Sequence, residues 1–159
     1  MASTISASTL TVTIRESIKL KGKEQGARTT LSISDINEVS SRIVTITTTE
    51  ATIATFSAAA ASAGHYVAAD VRYIRFTNLD DTNFVTLTFR NQDNDEVAIK
   101  LDAGQTFIWN GDNNDGMSAV FNATQDADAA SDTAFGSLTN IQADANTASC
   151  DLEMFIASV

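Results

Sequence analysis

Apolar and polar side chains alternate along most of this chain, and the alternation is clearest between Tyr73 and Trp109. Four short β-branched and aromatic runs, YIRFTN, FVTLTFR, EVAIKL and QTFIWN, are separated by residues 79–83, 91–95 and 102–104. A two-residue period marks a strand with one buried face, and the Asn, Asp and Gly between the runs are residues that close tight turns. A parallel crossover needs a dozen or more residues, so the spacing predicts four consecutive antiparallel strands, a meander. Its inward set is predicted to be Ile74, Phe76, Val85, Leu87, Phe89, Val97, Ile99, Leu101 and Trp109.

The same period extends to both ends of the chain. Leu10, Val12, Ile14, Ile18 and Leu20 share one parity and Thr11, Thr13, Arg15, Ser17 and Lys19 the other, which predicts a half-buried strand. Residues 21–26 read as a hairpin loop, with Thr29, Leu31 and Ile33 on the returning strand. A turn at 35–38 leads into RIVTITT and ATIATFS, where β-branching favours the pleated chain. Residues 58–64 and 111–116 read as loops, and 122–136 as an acidic, Ala-rich excursion without a period. Leu138 and Ile141 mark a further strand and 143–149 a turn; Cys150, Leu152, Met154 and Ile156 then alternate with Asp151, Glu153 and Phe155. Residues 1–9 carry no core-forming pattern and are expected to be a flexible arm. About ten short strands and no helical period predict an all-β fold, a single antiparallel β-sandwich over residues 10–159, of jelly-roll or immunoglobulin-like type.

Composition narrows the picture. The 159 residues suit one domain with one core, and the single Cys150 excludes an internal disulfide. No basic residue precedes Arg15, unlike a secretory signal, and no apolar run approaches the roughly 18 residues of a membrane span. A soluble protein made in a cytoplasm, with no membrane partner, is therefore expected. Proline is absent, so sheet edges have to be protected by charge, by bulges or by a neighbouring chain, unless the absence is compositional drift.

The net charge of −10 is unevenly laid out: all ten bases fall between Arg15 and Lys100, whereas residues 101–159 hold nine acids and no base. Nucleic acid is not an expected partner, because phosphate binding needs clustered Lys and Arg. The one short cluster, Arg15, Lys19, Lys21, Lys23 and Arg28, is the assembly candidate, suited to the acidic end of a neighbouring copy. An acidic, solvated surface that keeps the protein soluble explains the same layout.

Catalytic chemistry finds little footing. His65 is the only histidine and stands in an expected exposed loop, without a G-x-S-x-G elbow or a recognisable nucleophile. Zinc would need several Cys or His ligands. Calcium is the stronger metal candidate, through Asp112, Asn114 and Asp115 or through residues 93–96, but Gly111 stands where an EF-hand loop has its first aspartate, and ordinary turn chemistry accounts for both segments. The acids fall in loops and outward parities, where nothing raises a pKa for glycosidase work. Asn122-Ala123-Thr124 fits a glycosylation sequon, which matters only in a secretory pathway. Tyr73 and Trp109 could form an aromatic platform for a sugar or, as their strand positions favour, pack in the core or between subunits. No catalytic residue, cofactor or resident metal is expected.

TLTVTIRESIKLKGKEQG, SRIVTITTTEATIATFS, YIRFTNLDDTNFVTLTF, KLDAGQTFIW and DLEMFIAS together cover over half of the chain. In these segments it resembles the small all-β virion structural proteins of tailed bacteriophages, especially those of marine bacteria. The resemblance implies a non-enzymatic, homo-oligomeric building block; together with the missing proline and the uneven charge it leads to the expectation of a trimer, in the first place a head decoration or cement protein contacting the major capsid protein. A fibre, tail or adaptor subunit is also compatible, and a carbohydrate-binding or adhesin module is the alternative from another class.

Overall fold

The alternating segments form thirteen β-strands in a computed structural model that describes residues 5–60, 62–92, 94–110 and 138–159. No helix occurs among the described residues. β1 (Ser8–Arg15) and β4 (Arg28–Ile36) make a long hairpin tipped by β2 (Lys19–Leu20) and β3 (Lys23–Glu24). The body holds β5 (Glu38–Ile46), β6 (Ala51–Ser57), β7 (His65–Val67), β8 (Val71–Asn78), β9 (Val85–Asn91), β10 (Glu96–Leu101), β11 (Thr106–Asn110), β12 (Leu138–Ala145) and β13 (Cys150–Ser158). β11-β8-β13-β5 form one sheet and β10-β9-β12-β6-β7 the other, and the two make a sandwich. β1 begins at Ser8, which pairs with Ile36, so Ser8 and Thr9 belong to a strand and not to the expected arm. Residues 1–4 lie outside the described residues, as do 111–137 with their expected loop, excursion and sequon.

The strand order is nested. Setting aside the small β7, the first body strand pairs with the last (β5 with β13), the second with the second-last (β6 with β12), the third with the sixth (β8 with β11), and the two middle strands with each other (β9 with β10). The body therefore folds as one long hairpin whose apex joins β9 to β10, rolled so that successive pairs fall in alternate sheets.

This order overturns the expected meander. Only β9 and β10 form a hairpin within one sheet; the segments 79–84 and 102–105 arch between sheets, and β8 pairs with β11. Turn residues announce a reversal, but whether it stays within a sheet or crosses to the other depends on which partner buries both strands. Most of the predicted inward set is correct. Ile74, Phe76, Val85, Leu87, Phe89 and Leu101 are buried, and Ile99 and Trp109 pack against them. Val97 is the exception at 46% exposed, because it lies on the edge strand β10, near the strand's free end.

Asn78 fastens the arches. Its side chain is fully buried, and its Nδ2 donates to Asn83 O at 2.9 Å and to Leu101 O at 3.1 Å. Its Oδ1 accepts from the Asp80 N–H at 3.0 Å, while its backbone N–H donates to Gln105 O and its carbonyl accepts from Gly104 N–H. Gly104 takes a φ of +71°, which only glycine adopts without strain. Beside it Asp80 Oδ1 accepts from the N–H groups of Thr82 and Asn83 at 2.8 and 2.6 Å, closing the first arch as an Asx turn.

A smaller third layer lies on the outer face of the four-stranded sheet. There Leu10, Val12, Leu31, Ile33 and Ile36 of the long hairpin pack on Tyr73, Ile108, Phe155, Ala157 and Val159.

Two outcomes test this description. Asn78→Ala removes the donor to the buried Leu101 carbonyl and to the part-buried Asn83 carbonyl, and urea unfolding is expected to show a loss of roughly 2–4 kcal/mol, against less than about 0.5 for the exposed Ser41→Ala. Hydrogen bonds from the Asn83 and Thr82 N–H groups hold Asp80 below its ordinary 3.8, and a hydrogen bond from Arg75 holds Glu153 below 4.5. Carboxyls with depressed folded pKa values contribute stability above their ordinary pKa and lose it as pH falls through the folded value. Burial, with Glu50 nearby, raises Asp144, which acts in the opposite sense. Thermal midpoints are thus expected to drop below about pH 4, with a shallower drop in Asp80→Asn, whose amide keeps the Asx turn but does not titrate.

Candidate assembly interface

The long hairpin has two unlike halves. Its proximal half, from Leu10 to Val12 and Leu31 to Ile36, buries one face on the sandwich. In its distal half the register runs on through Thr13↔Thr30, Ile14↔Thr29 and Arg15↔Arg28, with both faces exposed. No described residue of the body covers it.

Tight turn chemistry gives this projection a defined shape. Lys21 and Gly22 take φ of +49° and +81° between Leu20 and Lys23, a two-residue turn whose twist suits a hairpin. The loop expected at 21–26 is thus shorter, because β3 already pairs back at Lys23. Glu24 turns its carboxylate inward and accepts from the Ile18 and Gly26 N–H groups at 3.0 and 3.1 Å. Below it the Glu16 N–H donates to Ala27 O, and the Gln25 N–H to Ile18 O, both at 2.8 Å. Gly26 is required by space, since a Cβ there would stand 2.1 Å from Glu16 O.

Arg15, Lys19, Lys21, Lys23 and Arg28 all lie on this distal half, and all are exposed. The structure thus brings the five assembly candidates onto one projection. Between residues 13 and 30 five bases face two acids, a net of +3, so the rest of the chain carries −13. Three apolar side chains accompany them, Ile14, Ile18 and Leu20, at 45, 50 and 56% exposure. Their parity predicted burial on a half-buried strand, and this is corrected: the hairpin outreaches the sheet beneath it. The signal was present, because the alternation from Leu10 to Leu20 is longer than any strand of the body.

The remaining candidates fall elsewhere. His65 is not in an exposed loop; it opens β7, half-buried, where Gly64 with its φ of +83° sets the chain parallel to β6. It lines a cleft of about 430 Å³ between β5 and β6, together with Arg42, whose Nη2 donates to Ile53 O and so ties the two sheets. Tyr73 and Trp109 cannot form one platform, because they face opposite sides of their sheet: Trp109 meets Phe89 edge-on at 5.7 Å in the main core, and Tyr73 meets Phe155 at 5.9 Å under the hairpin. Asp112, Asn114 and Asp115 lie outside the described residues. Asp95 is held in a turn, its N–H donating to Asn91 Oδ1 and its carboxylate accepting from Asn91 Nδ2. Among the described residues no group of three His, Cys, Asp or Glu side chains converges on a metal position.

Because the distal hairpin leans on no described residue outside itself, replacing residues 16–27 by a two-residue Asn-Gly turn is expected to change the unfolding free energy of the monomer by less than about 0.5 kcal/mol. Chemical denaturation monitored by Trp109 fluorescence checks this; a larger loss would make the hairpin a part of the core. Compared with known protein families, with curated proteins and with solved structures, the chain matches none.

Proposed function

We propose that this protein is a non-enzymatic structural subunit of a tailed-phage virion, a homo-oligomer that decorates or cements the head and is made in the host cytoplasm. The observation that carries the reading is the projecting hairpin, a rigid basic and apolar arm on a body of net charge −13. Such an arm is spare for folding and suited to contact, since its charge is opposite to that of every other copy. The expected partners are further copies, in the first place as a trimer, and the major capsid protein.

The nested strand order supports the same reading. We take it to be a jelly roll, the double-sheet sandwich that recurs in viral capsid and lectin domains. This is an argument from fold, and one fold hosts many functions. It also favours a second reading, a carbohydrate-binding or adhesin module, for which the cleft at Arg42 and His65 would be the site. Fibre, tail and adaptor subunits are alternative positions within the virion.

Mass spectrometry of purified particles separates these readings. Hundreds of copies per particle are expected for a head protein, a few to some dozens would indicate a fibre, vertex or adaptor, and absence would leave the binding module. Light scattering of the purified protein is expected to show an oligomer that loosens between 0.05 and about 0.5 M salt, as screening of the hairpin charges requires.

A further inference from the structure

We infer that the outer face of β5, the ridge carrying Val39 and Ile43, is the seat on which a second copy lays its distal hairpin. This rests on the assembly reading and names the receiving surface. Val39 and Ile43 are 53 and 63% exposed and stand on one face of the edge strand of the four-stranded sheet, about 13 Å apart along it. They belong to the same outer face that the chain's own proximal hairpin covers. Every residue packed beneath that hairpin comes from β8, β11, β13 or the C-terminal Val159, and none from β5. Among the described residues the face is therefore covered on one side and bare on the other.

Chemistry matches the bare side to the distal hairpin. The proximal hairpin already packs Leu10, Val12 and Leu31 onto this sheet, so the face accepts a two-stranded apolar ribbon, and the exposed Ile14, Ile18 and Leu20 offer more of the same ribbon with no described residue under it. Charge selects the occupant. On the outer face beside the ridge stand Glu153 opposite Ile43 and Asp151 opposite Thr45, against the base Arg75, which pairs with Glu153. Two acids and one base, a net of −1, meet a hairpin of net +3. Edge-to-edge pairing of two β5 strands is the poorer contact, because Arg42 in the middle of the edge strand points inward, a charge that such pairing would bury further.

Donor hairpin and receiving ridge are different patches, so the contact is head-to-tail and closes into a ring or runs on as a filament. The test uses two surface variants of the full chain. Ile18→Asp with Leu20→Asp disables the hairpin, and Val39→Asp with Ile43→Asp disables the ridge. Each alone is expected to be a folded monomer by light scattering, with a melting temperature within a few degrees of the parent, and an equimolar mixture to give a 1:1 dimer through the one intact contact. A second measurement does not depend on disruption: copies carrying Leu20→Cys mixed with copies carrying Ile43→Cys should form an intermolecular disulfide that neither forms with the parent chain, whose Cys150 is buried. If the hairpin variant dissociates while the ridge variant stays assembled, or if the cysteine pair does not link, the proposed seat is wrong and the assembly reading stands. A parent chain that is monomeric at high concentration also overturns the seat. The assembly reading falls with it only if the chain is missing from purified particles as well.

Discussion

The carboxamide of Asn78 is the interaction on which the body depends. A sandwich whose strands pair in nested order must carry the chain from one sheet to the other at each end, and every crossing leaves backbone groups that a flat hairpin would have satisfied within its ladder. Asn78 has two donors and one acceptor in one rigid plane, and all three are spent on the crossings: Asn83 O, Leu101 O and Asp80 N–H. A buried apolar residue there would leave those groups unpaired. The two arches consequently sit side by side, and β8 is presented to β11 instead of β9.

Packing follows from that crossing. With β8 and β9 in opposite sheets, Phe76 and Phe89 face the same interior, and Phe107 and Trp109 of β11 close against Phe89 at ring separations of 5.5 and 5.7 Å. β13, inserted between β8 and β5, is buried along both parities: Leu152, Met154 and Ile156 point into the main core, while Phe155 and Ala157 support the hairpin. A central strand with apolar residues on both faces lets the outer layer form. The hairpin gains a seat for its first half only, and its second half is left for another purpose.

Charge is divided unevenly over the surface of the fold. Half of the chain's ten basic residues stand on a projection that its own body does not use, while the body is strongly acidic. In the proposed assembly, copies that carry both signs on separate patches attract in a defined orientation, and the ridge at β5 receives the apolar part of the hairpin. The absence of proline fits the same picture: β5 meets β13 in unbroken register from Glu38 to Ile46, and its central Arg42 points inward, a device that discourages edge pairing while leaving the face open.

Period and turn chemistry made much of this legible. The strands from Leu10 to Ile156, the all-β class, the sandwich and most of the inward set follow from alternation alone, because burial on one face of a pleated chain is a local property of two-residue spacing. The five basic assembly candidates were equally visible, being neighbours in sequence. Partnership was not. The turns at 79–84 and 102–105 contain the Asp, Asn and Gly of ordinary hairpins, and whether they fold flat or arch is decided by Asn78, whose partners lie 5 and 23 residues away. Ile14, Ile18 and Leu20 carry the parity of buried residues, as do Tyr73 and Trp109 the look of an aromatic pair. Only the tertiary structure shows that the sheet ends before the first three and passes between the last two. The sequence by itself determined which face of each strand is apolar; the fold decided what covers that face, since cover comes from distant segments brought together by a crossing that no local pattern specifies.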